Sequence, residues 1–227
     1  MPGYDPVLFD LDGTVVDTVE LITESFRHAC QVVFGQALPD AEFLANVGQP
    51  LMQQMQLLSP AHAQELYDAY REYNHRRHDE LIRGYAGMEA ALLALRAAGR
   101  RLGLVTSKSA DTTEMAFRAV GLREHFAAVV TASDTTAHKP FPEPLFLCLE
   151  RLAAQCPGGQ LDRSRAIYVG DSPFDIQAGR AAGMATAAVT WGIFSRKDLE
   201  GAGPDHVLVE PGDLVRLCVD GAAPASQ

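Results

Sequence analysis

The apolar run Val7-Leu8-Phe9 stops at Asp10-Leu11-Asp12-Gly13-Thr14, and this junction limits the fold more than any other stretch. A short run that is wholly apolar describes a strand buried on both faces, the habit of parallel sheets. The event recurs. Apolar runs at 102–105, 127–130, 166–169 and 186–189, with a further candidate at 206–209, alternate with helical patterns at 86–98, 110–120, 143–152, 173–182 and 212–219. Strands alternating with helices predict an α/β protein built on a doubly wound parallel sheet. Right-handed crossovers then place helices on both faces.

One gap breaks this rhythm. Between residues 17 and 83 there is no strand candidate. Residues 20–33, 40–47, 51–58 and 61–81 carry helical spacing instead. The chain therefore divides into an α/β core of residues 1–16 and 84–219 and an inserted all-helical domain of residues 17–83. Small residues at 14–18 and 83–87 are suited to hinges. Residues 220–227 are small, polar and proline-containing, and are expected to be disordered.

The 227 residues carry a formal charge of −10. An acidic chain is a poor partner for nucleic acid or an anionic membrane surface, although a metal and a few local cations can invert the field at one site. Cys30, Cys148, Cys156 and Cys218 form no C-x-x-C motif, which fits reduced, buried thiols. With no basic-then-apolar leader pattern and no bilayer-length apolar stretch, the chain is expected to be soluble and cytoplasmic.

Chemistry-bearing residues stand at the strand ends. Asp10 and Asp12, at i and i+2, project to one side of a strand's end. Gly13 permits a sharp turn that presents backbone N–H groups. Two acids beside N–H donors hold a phosphate only with a hard cation between them, so the segment implies a divalent ion, most plainly Mg2+, and a carboxylate free to attack phosphorus or move a proton. The alternative is an ordinary strand-to-helix cap. Thr106 and Ser107 follow the run at 102–105, where hydroxyls serve either phosphate oxygens or a helix N-cap. Lys139 sits among Pro140, Pro142 and Pro144, either as a fixed positive charge for phosphate or as a solvated lysine. Asp171 follows another buried run and Asp175 lies one helical turn later, either as oxygen ligands or as acids at a helix N-terminus.

The ordered set D-L-D-G-T, T-S-K, K-P and G-D-x-x-x-D resembles the haloacid dehalogenase superfamily, and the likeness covers nearly the whole chain. It implies a Rossmann-like core with a helical cap inserted after the first motif, as in the phosphoglycolate phosphatase-like branch. It also implies roles. Asp10 becomes the nucleophile that forms an aspartyl-phosphate, and Asp12 the acid and then the base. Thr106 and Lys139 bind the phosphoryl group, assisted by the Gly13 backbone and Ser107. Mg2+ is held by Asp10, the Asp12 carbonyl and Asp171, with Asp175 in support. Dehalogenases of the superfamily lack the second aspartate, so Asp12 points to phosphoryl transfer on a small phosphate compound.

The segment from Tyr70 to Leu81, with Thr113-Glu114-Met115, Thr190-Trp191-Gly192 and Arg196-Lys197, resembles the superfamily's bacterial inorganic pyrophosphatases. Pyrophosphate and 2-phosphoglycolate are the expected substrates, with a phosphosugar mutase, or a binding protein on this scaffold, as rivals. Gln49, Asn74 and Arg76 are the cap residues expected to reach the substrate. His75 and His78, at i and i+3, fit a polar helix face better than a metal pair, since no third ligand stands near them. Residues 46–50 either line the pocket or simply turn. Trp191 either borders the crevice or anchors a loop.

Overall fold

A computed structural model describes residues 3–156 and 161–221. Six strands form one parallel sheet: β1 (Val7–Phe9), β4 (Leu102–Val105), β5 (Ala128–Val130), β6 (Ile167–Gly170), β7 (Ala185–Val189) and β8 (His206–Leu208). Their spatial order is β5-β4-β1-β6-β7-β8. The chain leaves β1 toward β4 and β5, then returns to β6 on the other side of β1. That reversal makes the carboxyl ends of β1 and β6 the switch point, where open α/β sheets bind ligands.

Strand periodicity sorts the core into two layers. Val7, Phe9, Leu102, Leu104, Ile167 and Val169 point to one face, with Met88, Leu92, Phe117 and Leu214 of α5 (Met88–Ala97), α6 (Ala110–Val120) and α10 (Gly212–Cys218). Leu8, Val105 and Tyr168 point to the other, with Leu145, Leu149 and Ala178 of α7 (Glu143–Ala153) and α8 (Pro173–Ala181). Every residue of β1 has helices on both sides, which is why its sequence is wholly apolar. The expected elements recur with shifted ends. Additional to them is α9 (Arg196–Gly201), a short polar helix capped by Ser195.

The inserted segment holds α1 (Val19–Phe34), α2 (Asp40–Leu44), α3 (Leu51–Leu58) and α4 (Ala63–Leu81). The helix expected over 40–47 is shorter because residues 46–50 turn. Phe26 is the centre of this layer, stacked on Phe43 at 4.9 Å and edge-on to Tyr70 at 5.0 Å. Ile193 and Phe194, from the loop after β7, pack into the same cluster. At the base of the insertion, β2 (Val16–Asp17) pairs antiparallel with β3 (Arg83–Gly84). The two expected hinges are thus zipped together by main-chain hydrogen bonds. No helix among the described residues is long and apolar enough to cross a membrane. Cys30, Cys148 and Cys218 are buried free thiols, but Cys156 is only half-buried, against the expectation that all four are buried. Of the expected tail, residues 222–227 lie outside the described residues.

Leu8 is fully buried at the centre of the sheet. Leu8→Ala leaves a cavity beneath α7 and is expected to lower unfolding stability by about 3 kcal/mol, measured by urea denaturation. A loss below about 1 kcal/mol would show that the central strand is not close-packed.

Candidate active site

Four strand ends converge. Asp10 continues β1, its N–H donating to Val169 O at 2.9 Å. Thr106 continues β4, donating its N–H to Val130 O at 2.9 Å. Lys139 enters from the loop after β5, and Asp171 follows β6. Asp10, Thr106, Lys139 and Asp171 all line one cavity of about 230 Å3 between the sheet and the inserted helices.

The charges here are dry. Lys139 Nζ donates to Asp175 Oδ1 at 2.7 Å and lies 2.9 Å from Asp10 Oδ1. It approaches Asp10 off the hydrogen-bonding direction, so Asp10 Oδ1 is a buried acceptor with no hydrogen-bond partner. Asp175 is saturated. Its Oδ1 also meets the Tyr168 hydroxyl at 3.1 Å, and its Oδ2 accepts from Ser172 N and Oγ. This is the capping box that starts α8.

Burial, and then the neighbouring carboxylates of Asp175, Asp171 and Asp12, hold the Asp10 carboxyl well above its ordinary range, with Lys139 opposing. Burial, then Asp175, pushes Asp171 up to about 7. Burial alone would lower Lys139, but Asp10 and Asp175 outweigh it and keep the ammonium charged.

This set fits a hard divalent cation. One oxygen each of Asp10, Asp171 and Asp175 lies within 4.8 Å of the others, and all three residues are buried. Three carboxylates against one ammonium leave two negative charges in surplus away from water. Such a surplus is costly unless protons or a cation offset it. Asp10 Oδ1, which faces Lys139 but accepts no hydrogen bond, is the oxygen left to take one up.

Backbone approach fixes Asp171. A Cβ on Gly13, whose φ is +74°, would stand 2.1 Å from Asp171 Oδ2, and one on Gly192 would stand 2.2 Å from it. Both positions therefore require glycine. Asp171 Oδ2 accepts from Ile193 N at 2.8 Å, and Oδ1 from Thr14 Oγ1 at 3.3 Å. Trp191 donates to Thr14 O at 3.0 Å. It anchors the loop after β7 to the loop after β1 and does not line the cavity.

A sequence profile of the haloacid dehalogenase-like hydrolases matches residues 7–189. The chain belongs to the haloacid dehalogenase-like hydrolases. The pyrophosphatase PpaX of Bacillus velezensis is 37% identical over 211 residues, spanning 93% of this chain and 94% of that protein. Among solved structures, a predicted phosphoglycolate phosphatase from Haemophilus somnus superposes with a TM-score of 0.83 at 21% identity, over 95% of this chain and 98% of that one. A haloacid dehalogenase-like family protein from Streptococcus pneumoniae gives 0.79 at 25% identity, over 93% and 97%. The first of these two structures speaks to the fold alone. The family makes the chain a hydrolase, and its relative PpaX is a pyrophosphatase.

Within this hydrolase the other expected residues separate. The Asp12 carboxylate is not in the buried acidic group. Both its oxygens face Lys108 Nζ, at 3.0 and 3.1 Å. Only its main-chain carbonyl is left for the expected metal contact. Ser107 lines the cavity, but its hydroxyl donates to Gly48 O at 2.6 Å, joining core to insertion. Gln49 and Asn74 line the cavity, and Asn74 donates to Ser25 Oγ at 3.2 Å.

Arg76 does not line the cavity. It is about half exposed and pairs with Glu72 one turn back. The inward stripe of α4 is Tyr67, Tyr70, Arg71, Asn74 and His75, a run at i, i+3, i+4, i+7 and i+8 that excludes position 76. Counting that stripe from Asn74 would have selected Arg71. His75 lines the cavity. His78 is 1% exposed, with Nδ1 2.7 Å from Asp79, so it does not sit on a solvated face. Lys108, the partner of Asp12, carried no sequence sign beyond its place in T-S-K.

Asp10 and Asp171 take up protons on folding because their native carboxyls sit above the unfolded value of 3.8. Their contribution to metal-free stability is therefore greatest at low pH and falls as pH rises from about 4 through about 7. A cation competing with those protons stabilises more as pH rises. Millimolar MgCl2 is expected to raise the melting midpoint by several degrees near pH 8 and by little near pH 5; equal shifts at both values would contradict this. Gly13→Ala displaces Asp171 and is expected to abolish most of the Mg2+ effect in the same assay, whereas a variant with the full shift would show that Asp171 can move at no cost.

Proposed function

We propose that the chain is a Mg2+-dependent phosphohydrolase that attacks a small phosphorylated substrate with Asp10 and passes through an aspartyl-phosphate. One observation carries this reading: Asp10 presents a buried carboxylate oxygen, beside the Lys139 ammonium and accepting no hydrogen bond, into a cavity that also holds Thr106, Asp171 and Asp12.

Each residue's part follows from its surroundings. Asp10 Oδ attacks phosphorus, the bond to the leaving oxygen breaks, and Asp12 gives that oxygen a proton. Asp12 then takes a proton from water, whose oxygen displaces Asp10 and releases phosphate. Asp12 suits both steps because it is less buried than Asp10 and lies at the cavity's more open side. Lys139, held by Asp175, and the Thr106 hydroxyl bind the phosphoryl oxygens. Asp10, Asp171, the Asp12 carbonyl and, in support, Asp175 would hold Mg2+, which when bound offsets the repulsion between nucleophile and phosphate.

Residues 17–83 act as a cap in this reading. The β2–β3 pairing forms its hinge, and Ser107 with Gly48 and Arg71 with Asp111 join it to the core. The likeness to the Bacillus pyrophosphatases favours pyrophosphate as the substrate, with 2-phosphoglycolate next. Free thiols at Cys30, Cys148, Cys156 and Cys218 fit a cytoplasmic setting.

A phosphate-release panel with Mg2+ tests the reading by comparing kcat/KM for pyrophosphate, 2-phosphoglycolate, phosphosugars and nucleotides. Pyrophosphate is expected to dominate. Asp10→Asn is expected to lower kcat by at least about a thousandfold on every substrate cleaved. Near-normal turnover by that variant would remove Asp10 from the nucleophile's role.

A further inference from the structure

The cavity's cations are not equivalent. Lys139 is spent on Asp10 and Asp175, and Lys108 on both oxygens of Asp12. These carboxylates belong to the site itself, so both lysines already have a counter-charge within it. Arg71 differs. It lines the cavity from the inward stripe of α4, but its carboxylate partner, Asp111 of α6 at 2.6 Å, does not line it. Asp111 is 56% exposed and Arg71 27%. A pair with one member so open to water is weak and readily exchanged.

The guanidinium is also held in position. Nη1 donates to the Tyr67 hydroxyl at 3.2 Å, and Nη2 lies 3.1 Å from His75 Nε2. Burial, then the charge of Arg71, holds His75 below its ordinary value, which favours the neutral ring. Tyr67, Arg71 and His75 stand one turn apart on α4, so each flank of the arginine is fixed by a neighbour. Among the described residues Nε makes no protein hydrogen bond. A planar donor fixed this way, with its counter-ion on the solvent side, suits an oxyanion arriving from within.

We infer that Arg71 receives the leaving group, and that this hydrolase selects phosphoryl compounds whose leaving group carries a negative charge of its own. The inference rests on the hydrolase reading above and narrows its substrate class. Pyrophosphate presents a second phosphate and 2-phosphoglycolate a carboxylate, so both belong to the class. A neutral alcohol leaving group does not. The incoming anion takes Arg71 from Asp111, which makes Asp111 a competitor of the substrate.

The test uses full-length enzyme with Mg2+ and three substrates: pyrophosphate, 2-phosphoglycolate and 2-hydroxyethyl phosphate. The last keeps the phosphoglycolate skeleton but has an alcohol in place of the carboxylate. The measured quantity is the ratio of kcat/KM on a charged substrate to that on the neutral one. Arg71→Met is expected to lower the ratio about 10- to 100-fold, mainly through KM. Asp111→Asn breaks the same ion pair and leaves Arg71 in place, so it is expected to hold or raise the ratio. A residue that merely braces α4 against α6 would give parallel effects in the two variants. An unchanged ratio in Arg71→Met, or an equal fall in both variants, overturns the inference while leaving the hydrolase reading intact. Wild-type enzyme that releases no phosphate from any of the three overturns both.

Discussion

Lys139 between Asp10 and Asp175 is the contact on which the site depends. One ammonium cannot balance the carboxylates buried around it, because Asp171 adds a further charge at the same switch point. The imbalance has two outlets. Without metal the carboxyls take up protons, which is why Asp10 and Asp171 sit above their ordinary range. In the proposed reading the same oxygens would become ligands when a metal is bound. The fold maintains this tension by packing: β1 and β6 are buried on both faces, Ser172 and Tyr168 immobilise Asp175, and the backbone at Gly13 and Gly192 closes on Asp171. The carboxylates have little freedom to move apart.

In the proposed reading, substrate size and charge are set on the opposite wall. The inserted helices carry an apolar cluster around Phe26 that holds them together and a polar stripe on α4 that faces the sheet. A cavity of about 230 Å3 admits only a small molecule. On that reading the chain divides its labour by position: strand ends bind the phosphoryl group, and the insertion meets what leaves.

Much of this was legible in the sequence because burial on both faces forces a strand to be continuously apolar. Residues 7–9, 102–105 and 166–169 stand out for that reason, and an acid or hydroxyl one or two residues past the end of each run falls at the ligand-binding edge. What stayed hidden depends on partners distant in sequence. Val16-Asp17 pairing with Arg83-Gly84 is too short to show an alternating pattern. Arg196–Gly201 has a cap but only one buried residue, Leu199, so no periodicity marks it. Asp12 and Lys108 meet across the sheet edge, and neither neighbourhood encodes the other. Arg76 and Arg71 are equally plausible by residue type, and only the phase of α4 separates them.

The central claim is that the Asp10 carboxylate attacks phosphorus. Its most direct measurement is an acid quench of enzyme turning over radiolabelled pyrophosphate, followed by peptide mapping. Label on the peptide carrying Asp10, released by hydroxylamine as an acyl phosphate, is the expected result. Turnover with no labelled protein at any quench time, or label on another residue, would contradict it.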